Sequence, residues 1–229
     1  WDARIDPQDR GASFRYDVFP VVGTPERLQV LDAEAGACDV VLPAHIVDGI
    51  GTWFNRAVVS SQAFAKQVAA LGVAPNHAPS AAQALKLRSW LANDMEQVFA
   101  SRAASAVYHL TDALWALPAF EAFGRRHGDT SLAIVYDAHA IARKNEPPLP
   151  SPNQPAVDAL RGLATLAPRD RTHIMHDKFI VTDAASNPAP ARVLTGSANF
   201  TTEGLTEQAN VLHAFDSPEL AALYNARAH

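Results

Sequence analysis

The chain has 229 residues, 48% of them apolar, with a net charge of −5 and a pI near 6. That length and composition suit one large or two small globular domains that can bury a core. The acidic balance excludes a broad basic surface for non-specific nucleic-acid binding, leaving only a local basic groove. No apolar run is long enough to span a membrane, so stable membrane insertion is not expected. The single cysteine, Cys38, excludes an internal disulfide; beside Val40-Val41-Leu42 it reads as a core thiol, and a reducing, cytoplasmic location is expected.

Residues 1–15 are polar and mixed and read as an arm. Tyr16 to Val22 reads as a strand ended by Gly23-Thr24-Pro25. Thr24 is placed to cap a helix running to Ala35 and stopping at Gly36. Asp39 to Ile46 reads as a buried strand, which gives a β-α-β opening with a parallel pair. The spacing of Ile50, Trp53, Phe54, Ala57 and Val58 predicts a helix over 49–71. Asn55, Arg56, Ser60, Ser61 and Gln62 on it would either line a channel or face solvent. Ser80 is a cap for a helix over 81–104, and Ala106 to Leu110 reads as a short strand. A helix over 111–126, a strand over 131–136 and a proline-rich connector follow. Gln154 to Leu166 reads as a short helix. After the motif described next, Gln208 to Phe215 reads as a strand, and Ser217-Pro218 opens a last helix.

The chemistry concentrates in residues 171–200. His176, Lys178 and Asp183 are spaced H-x-K-x-x-x-x-D on a stretch rich in β-branched and aromatic residues, the composition of a strand. Alternation along that strand puts His176 and Lys178 on one face with Ile180 and Thr182, and Phe179, Val181 and Asp183 on the other. A second strand, Ala191 to Thr195, ends in Gly196-Ser197-Ala198-Asn199 and brings a Ser and an Asn to the same end. An imidazole can attack phosphorus or shuttle a proton. An ammonium, an amide and a hydroxyl can hold phosphoryl oxygens as charge shifts. Arg171 and His173, just before the strand, would add a local positive rim. No carboxylate cluster calls for a metal, and no cofactor is expected.

His176-Asp-Lys178-(x4)-Asp183 followed by Gly196-Ser197-Ala198-Asn199-Phe200 resembles the HKD signature of the phospholipase D superfamily. The resemblance covers residues 105–229. It implies an α/β/α sandwich with a mainly parallel mixed sheet and extra helices, divided here into an N-terminal part, 1–104, and an HKD part, 105–229. It also implies a metal-independent phosphodiesterase working through a phosphohistidine on His176. In that reading Lys178 and Asn199 hold the phosphoryl oxygens, Ser197 and Gly196 support them, and Asp183 has a structural role. Glu207 stands where the family carries a carboxylate that orients a catalytic His, although Glu207-Gln208-Ala209-Asn210 departs from the usual Asn-x-Glu-Asn. The implied substrate is DNA or RNA; a phospholipid, or a non-catalytic half-site used for binding, is the alternative. Two HKD motifs ordinarily build one site, and no other His in this chain has a Lys two residues later. A homodimer mate, or a segment beyond His229, is therefore expected to supply the second half.

Overall fold

The computed structural model describes residues 9–100, 105–107, 109–170, 175–184 and 187–228. Two compact units emerge, Trp1–Val47 and Asp48–His229, so the division expected at residue 104 falls inside the second.

The first unit is built from short strands: β1 (Ser13–Val18), β2 (Val21–Thr24), β3 (Arg27–Val30), β4 (Gly36–Val41) and β5 (Ile46–Val47). The expected β-α-β opening is replaced by antiparallel pairs, β1 with β4 and β2 with β3. The reason lies at Gly23. Its φ is +114°, and a Cβ there would sit 2.1 Å from the Arg27 carbonyl oxygen. Only glycine tolerates that approach, and it closes a hairpin around Pro25-Glu26 where a helix start was expected. Cys38, on β4, is exposed rather than buried.

In the second unit the elements in chain order are β6 (Ile50–Phe54), α1 (Gln62–Ala70), α2 (Ala81–Ala92), β7 (Ser105–Val107), α3 (Ala116–His127), β8 (Ala133–Asp137), α4 (Gln154–Leu160), β9 (Thr165–Arg169), β10 (Lys178–Ala184), β11 (Asn187–Gly196), α5 (Thr202–Thr206), β12 (Val211–Phe215) and α6 (Pro218–Ala228). The strand order is β6-β12-β11-β10-β7-β8-β9. The expectation of a mainly parallel sheet is corrected here. Among the described residues only β7–β8 and β8–β9 are parallel, and the other ladders are antiparallel. The parallel pairs are those joined through α3 and α4, which carry the chain back across the sheet.

Three helical expectations fail for local reasons. Ile50 to Phe54 alternates in burial, Gly51 and Trp53 inward, and pairs with β12 instead of coiling. Ala57, at a φ of +47°, then breaks any helix, and α1 begins later on the Ser61 cap, whose hydroxyl accepts from the Phe64 amide. Ser80 does cap α2, in a reciprocal box with Gln83, but Asn93 and Asp94 both take left-handed φ and stop it short of 104. The helix expected to reach Leu166 ends at Leu160, and Thr165–Arg169 pairs as an edge strand that accommodates Pro168.

Strand β10 divides its side chains between two cores. Ile180 joins the larger cluster, with Leu194, Phe200, Leu110, Phe120 and Leu160. Phe179 and Val181 join a smaller one under α6, where Phe179 meets Tyr224 edge-on at 5.0 Å. The buried aliphatic stripe on alternate residues fixes the register of β10, because a one-residue slip would exchange its two faces. Asn55 and Arg56, offered as channel residues, are buried and structural. Asn55 donates to the Gly204 and Gln208 carbonyls and accepts from the Asn210 amide; the Arg56 guanidinium lies 4.6 Å over Trp90.

Candidate active site

Strand directions bring one edge of the sheet together. β7 and β8 run parallel, so their carboxyl ends share an edge. β10 runs against β7, and its first residues lie at that edge. β11 returns against β10 and finishes there. The carboxyl ends of parallel strands are where open α/β sheets form ligand sites. His176 precedes β10, Lys178 opens it, and Gly196 closes β11.

The β10–β11 ladder pairs Phe179 with Thr195, so the next step sets Lys178 against Gly196. The Thr195 hydroxyl donates to the Lys178 carbonyl over 3.1 Å, holding the ends together. Gly196 has a packing reason to be glycine: an added Cβ would lie 2.1 Å from the Val211 carbonyl oxygen of β12. Lys178 is buried, and its Nζ donates to the His176 carbonyl at 3.1 Å. Burial lowers its pKa below the ordinary 10.5, while Asp177 opposes that shift. The His176 side chain is exposed. Asp177 also faces Arg227 of α6 at 3.7 Å, which brings a further cation beside the motif.

Asn199 is half-buried, and its Oδ1 is buried without a hydrogen-bond partner. A buried polar atom left in that state is costly unless something else satisfies it. Ser197 is more heavily engaged: its hydroxyl donates to Asn210 Oδ1 at 2.8 Å and accepts from the Val211 amide at 3.0 Å, tying β11 to β12. Asp183 lies at the far end of β10, at a bulge against β11, with its pKa raised by burial. Glu207 is exposed and closes α5. Arg171 and His173 lie outside the described residues.

The sequence reading passed over His109 and Asn153 on the neighbouring strand ends. His109 follows β7, and its carbonyl accepts from the Phe200 amide at 3.1 Å, next to Asn199. Its pKa is lowered by burial; Asp137 opposes that, and Lys178 and His176 add to it. Those charges put His109 within electrostatic reach of the motif. Asp137, buried at the end of β8, pairs with His139 Nδ1. Asn153 clamps both strand ends: its Oδ1 accepts from the Leu110 amide at 2.8 Å and its Nδ2 donates to the Asp137 carbonyl at 2.9 Å. The only signal for these residues was position, a polar residue directly after an apolar strand run, as in Val107-Tyr108-His109 and Val135-Tyr136-Asp137.

Among the described residues no group of three His, Cys, Asp or Glu side chains could hold a metal ion, and no helix is long and apolar enough to cross a membrane.

No protein-family model matches the chain, and neither does any curated protein. Among solved structures it is similar to Nuc from Salmonella typhimurium, a phospholipase D family member, at 21% identity and a TM-score of 0.43, over 58% of this chain and 80% of that one. It is similar to NucT from Helicobacter pylori at 17% identity and a TM-score of 0.42, over 59% and 83%. It also resembles a polyphosphate kinase from Porphyromonas gingivalis at 12% identity and a TM-score of 0.39, over 61% of this chain and 23% of the kinase.

Proposed function

We propose that the chain is a phosphodiesterase of the phospholipase D type that acts on nucleic acid through a phosphohistidine on His176. The observation that carries this reading is the β10–β11 ladder, which brings the end of the H-x-K stretch beside the start of the G-S-x-N stretch at the sheet edge. The exposed imidazole of His176 attacks phosphorus as a P–N bond forms and the P–O bond to the leaving group breaks. Lys178 offsets the charge on the non-bridging oxygens. Rotation of the unanchored Asn199 amide turns its Nδ2 toward them. Water then displaces the histidine and releases the phosphate monoester. Every group in this scheme belongs to the protein, so EDTA is expected to leave turnover unchanged.

An exposed nucleophile on an open edge suits a long polyanion, with Arg227 beside it as a rim cation. The test is a panel of plasmid, single-stranded DNA, RNA and phosphatidylcholine vesicles, with His176→Ala as control. Cleavage of a nucleic acid that disappears in the variant supports the reading. Cleavage of the phospholipid alone reassigns the substrate, and activity that survives in His176→Ala removes the mechanism.

The motif leaves one need unmet: a group to protonate the departing oxygen and later take a proton from water. The resemblance implies a second His from a homodimer mate across a two-fold axis, or from a further HKD segment of a longer chain.

A further inference from the structure

Asn55 follows β6, far in sequence from the motif, and its segment is pinned on both sides of it. The Asn93 side-chain amide donates to the Phe54 carbonyl at 2.9 Å, and the Arg56 amide donates to the Leu91 carbonyl at 2.7 Å. Between these two anchors the Asn55 side chain is buried and meets the turn that leads into β12. Its Nδ2 donates to the Gly204 and Gln208 carbonyls at 3.3 and 2.6 Å, and its Oδ1 accepts from the Asn210 amide at 3.0 Å. Asn210 passes the constraint on. Its own Nδ2 donates to the Gly204 carbonyl at 2.8 Å, which turns its Oδ1 to accept from the Ser197 hydroxyl at 2.8 Å. The one proton of that hydroxyl is thereby committed, and its oxygen accepts from the Val211 amide. Ser197 thus fixes the turn after β11.

Asn199 lies between the two ends of this network. Two residues before it, Ser197 is held by Asn210. Behind it, Gly204 packs so closely that an added Cβ would lie 2.4 Å from the Asn199 carbonyl oxygen. The Asn199 Oδ1 has no hydrogen-bond partner of its own, so the backbone around it is what aims the amide. That backbone rests on Asn210 and Gly204, and Asn55 holds both. Building on the phosphodiesterase reading above, we infer that Asn55 is a positioning residue for the site: it sets the place of Asn199 through Asn210 and Gly204 without touching substrate. The amide suits the task, since it supplies two donors and an acceptor in one plane. Asp at this position would keep the acceptor but set an oxygen against two carbonyls. A donor displaced by about 1 Å from its preorganised place costs on the order of 100-fold in rate.

The test takes Asn55→Ala and Asn55→Asp through two readouts, both well below their melting temperatures. The first needs no substrate. Hydrogen exchange is followed at the Ser197 and Phe200 amides, which bracket Asn199 and donate to the Val211 and His109 carbonyls. Both variants are expected to speed exchange there by at least about 10-fold, while the Thr165 amide, bound to the Leu132 carbonyl, stays within about 3-fold. Unchanged exchange at Ser197 and Phe200 overturns the inference, as does an equal rise at Thr165, which would mark a loss of overall stability. The second readout is cleavage of the nucleic acid that the panel above identifies. There kcat is expected to fall by roughly 100-fold with KM within about 3-fold of the parent. In an Asn199→Ala background the further loss from Asn55→Ala is expected to stay below about 3-fold, because the effect runs through Asn199. A loss of the same size in both backgrounds overturns the inference. Where Asn199→Ala is too slow to measure, the split between kcat and KM takes the place of that comparison. If Asn55→Ala does not fold, Asn55→Asp carries both readouts; if neither folds, Asn55 serves the fold alone and the inference fails. A parent chain that cleaves nothing in the panel defeats the phosphodiesterase reading instead, and exchange at Ser197 and Phe200 then decides the positioning role by itself.

Discussion

Lys178 is a buried charge in an apolar setting, flanked by buried Phe179 and Ile180. With its folded-state pKa lowered, the unfolded chain holds the proton more firmly. Its contribution to stability is therefore largest above pH 10.5 and is lost as pH falls through the lowered value. Lys178→Met keeps the length of the side chain, removes the desolvated charge and gives up the bond to the His176 carbonyl and the attraction to Asp177. The expected outcome is a protein inactive on nucleic acid whose melting temperature at pH 7 equals the parent's or exceeds it by up to about 4 °C. Calorimetry beside the cleavage assay checks it, and a fall of several degrees would mean that the ammonium stabilises the fold. The motif was legible at this scale because H-x-K and G-S-x-N are short-range patterns on stretches of clear strand composition. His109 was not. Its place depends on a partner strand some seventy residues away, and no local spacing announces it.

Among the elements, α3 shows how a strand end is held in position. Its first turn has no cap from the adjoining Trp115. Asp112, fully buried, accepts instead from the Trp115 and Ala116 amides at 2.8 and 2.7 Å and from the Thr202 hydroxyl at 3.1 Å. One carboxylate thus joins the His109 loop, the start of α3 and the start of α5. Asp112→Ala removes the acceptor and leaves buried donors unmatched, so a loss of about 2–4 kcal/mol in urea unfolding is expected. A loss below about 0.5 kcal/mol would show that another group takes over the cap. Helix α3 was foreseeable because its apolar stripe and its stop at Gly128 are local. The hairpins of the first unit and β6 were not, since Ile50, Trp53 and Phe54 satisfy a helical spacing as readily as a strand alternation. Pairing with β12 decides the matter, and that lies outside any sequence window.

Across the whole second unit, the candidate site draws on four chain segments: the ends of β7, β8 and β11 and the start of β10. A mainly parallel sheet could not arrange them so, because β10 must run against β7 to bring His176 to the edge where His109 leaves. The family resemblance pointed to the layered architecture but not to the direction of each strand, which is set by the length and content of the connections. β10 and β11 are neighbours in sequence and can pair early as a hairpin. The remaining ladders cannot. β12 meets β6 with Val211 opposite Phe54, and β10 meets β7 with Lys178 opposite Val107. Closing such long loops costs entropy before any contact rewards it, which slows folding. Catalytic competence should therefore be among the last properties regained after dilution from urea. In a refolding time course, cleavage is expected to return with the slowest phase, after the far-ultraviolet signal has largely recovered; activity that rises with the earliest phase would mean that the site closes without the β7–β10 seam. Distant pairing would thus act as a built-in proofreading step for the proposed activity: in a chain that has stalled half-made, the H-x-K stretch lacks the β7 strand end beside it, and the candidate site is incomplete until the sheet is whole.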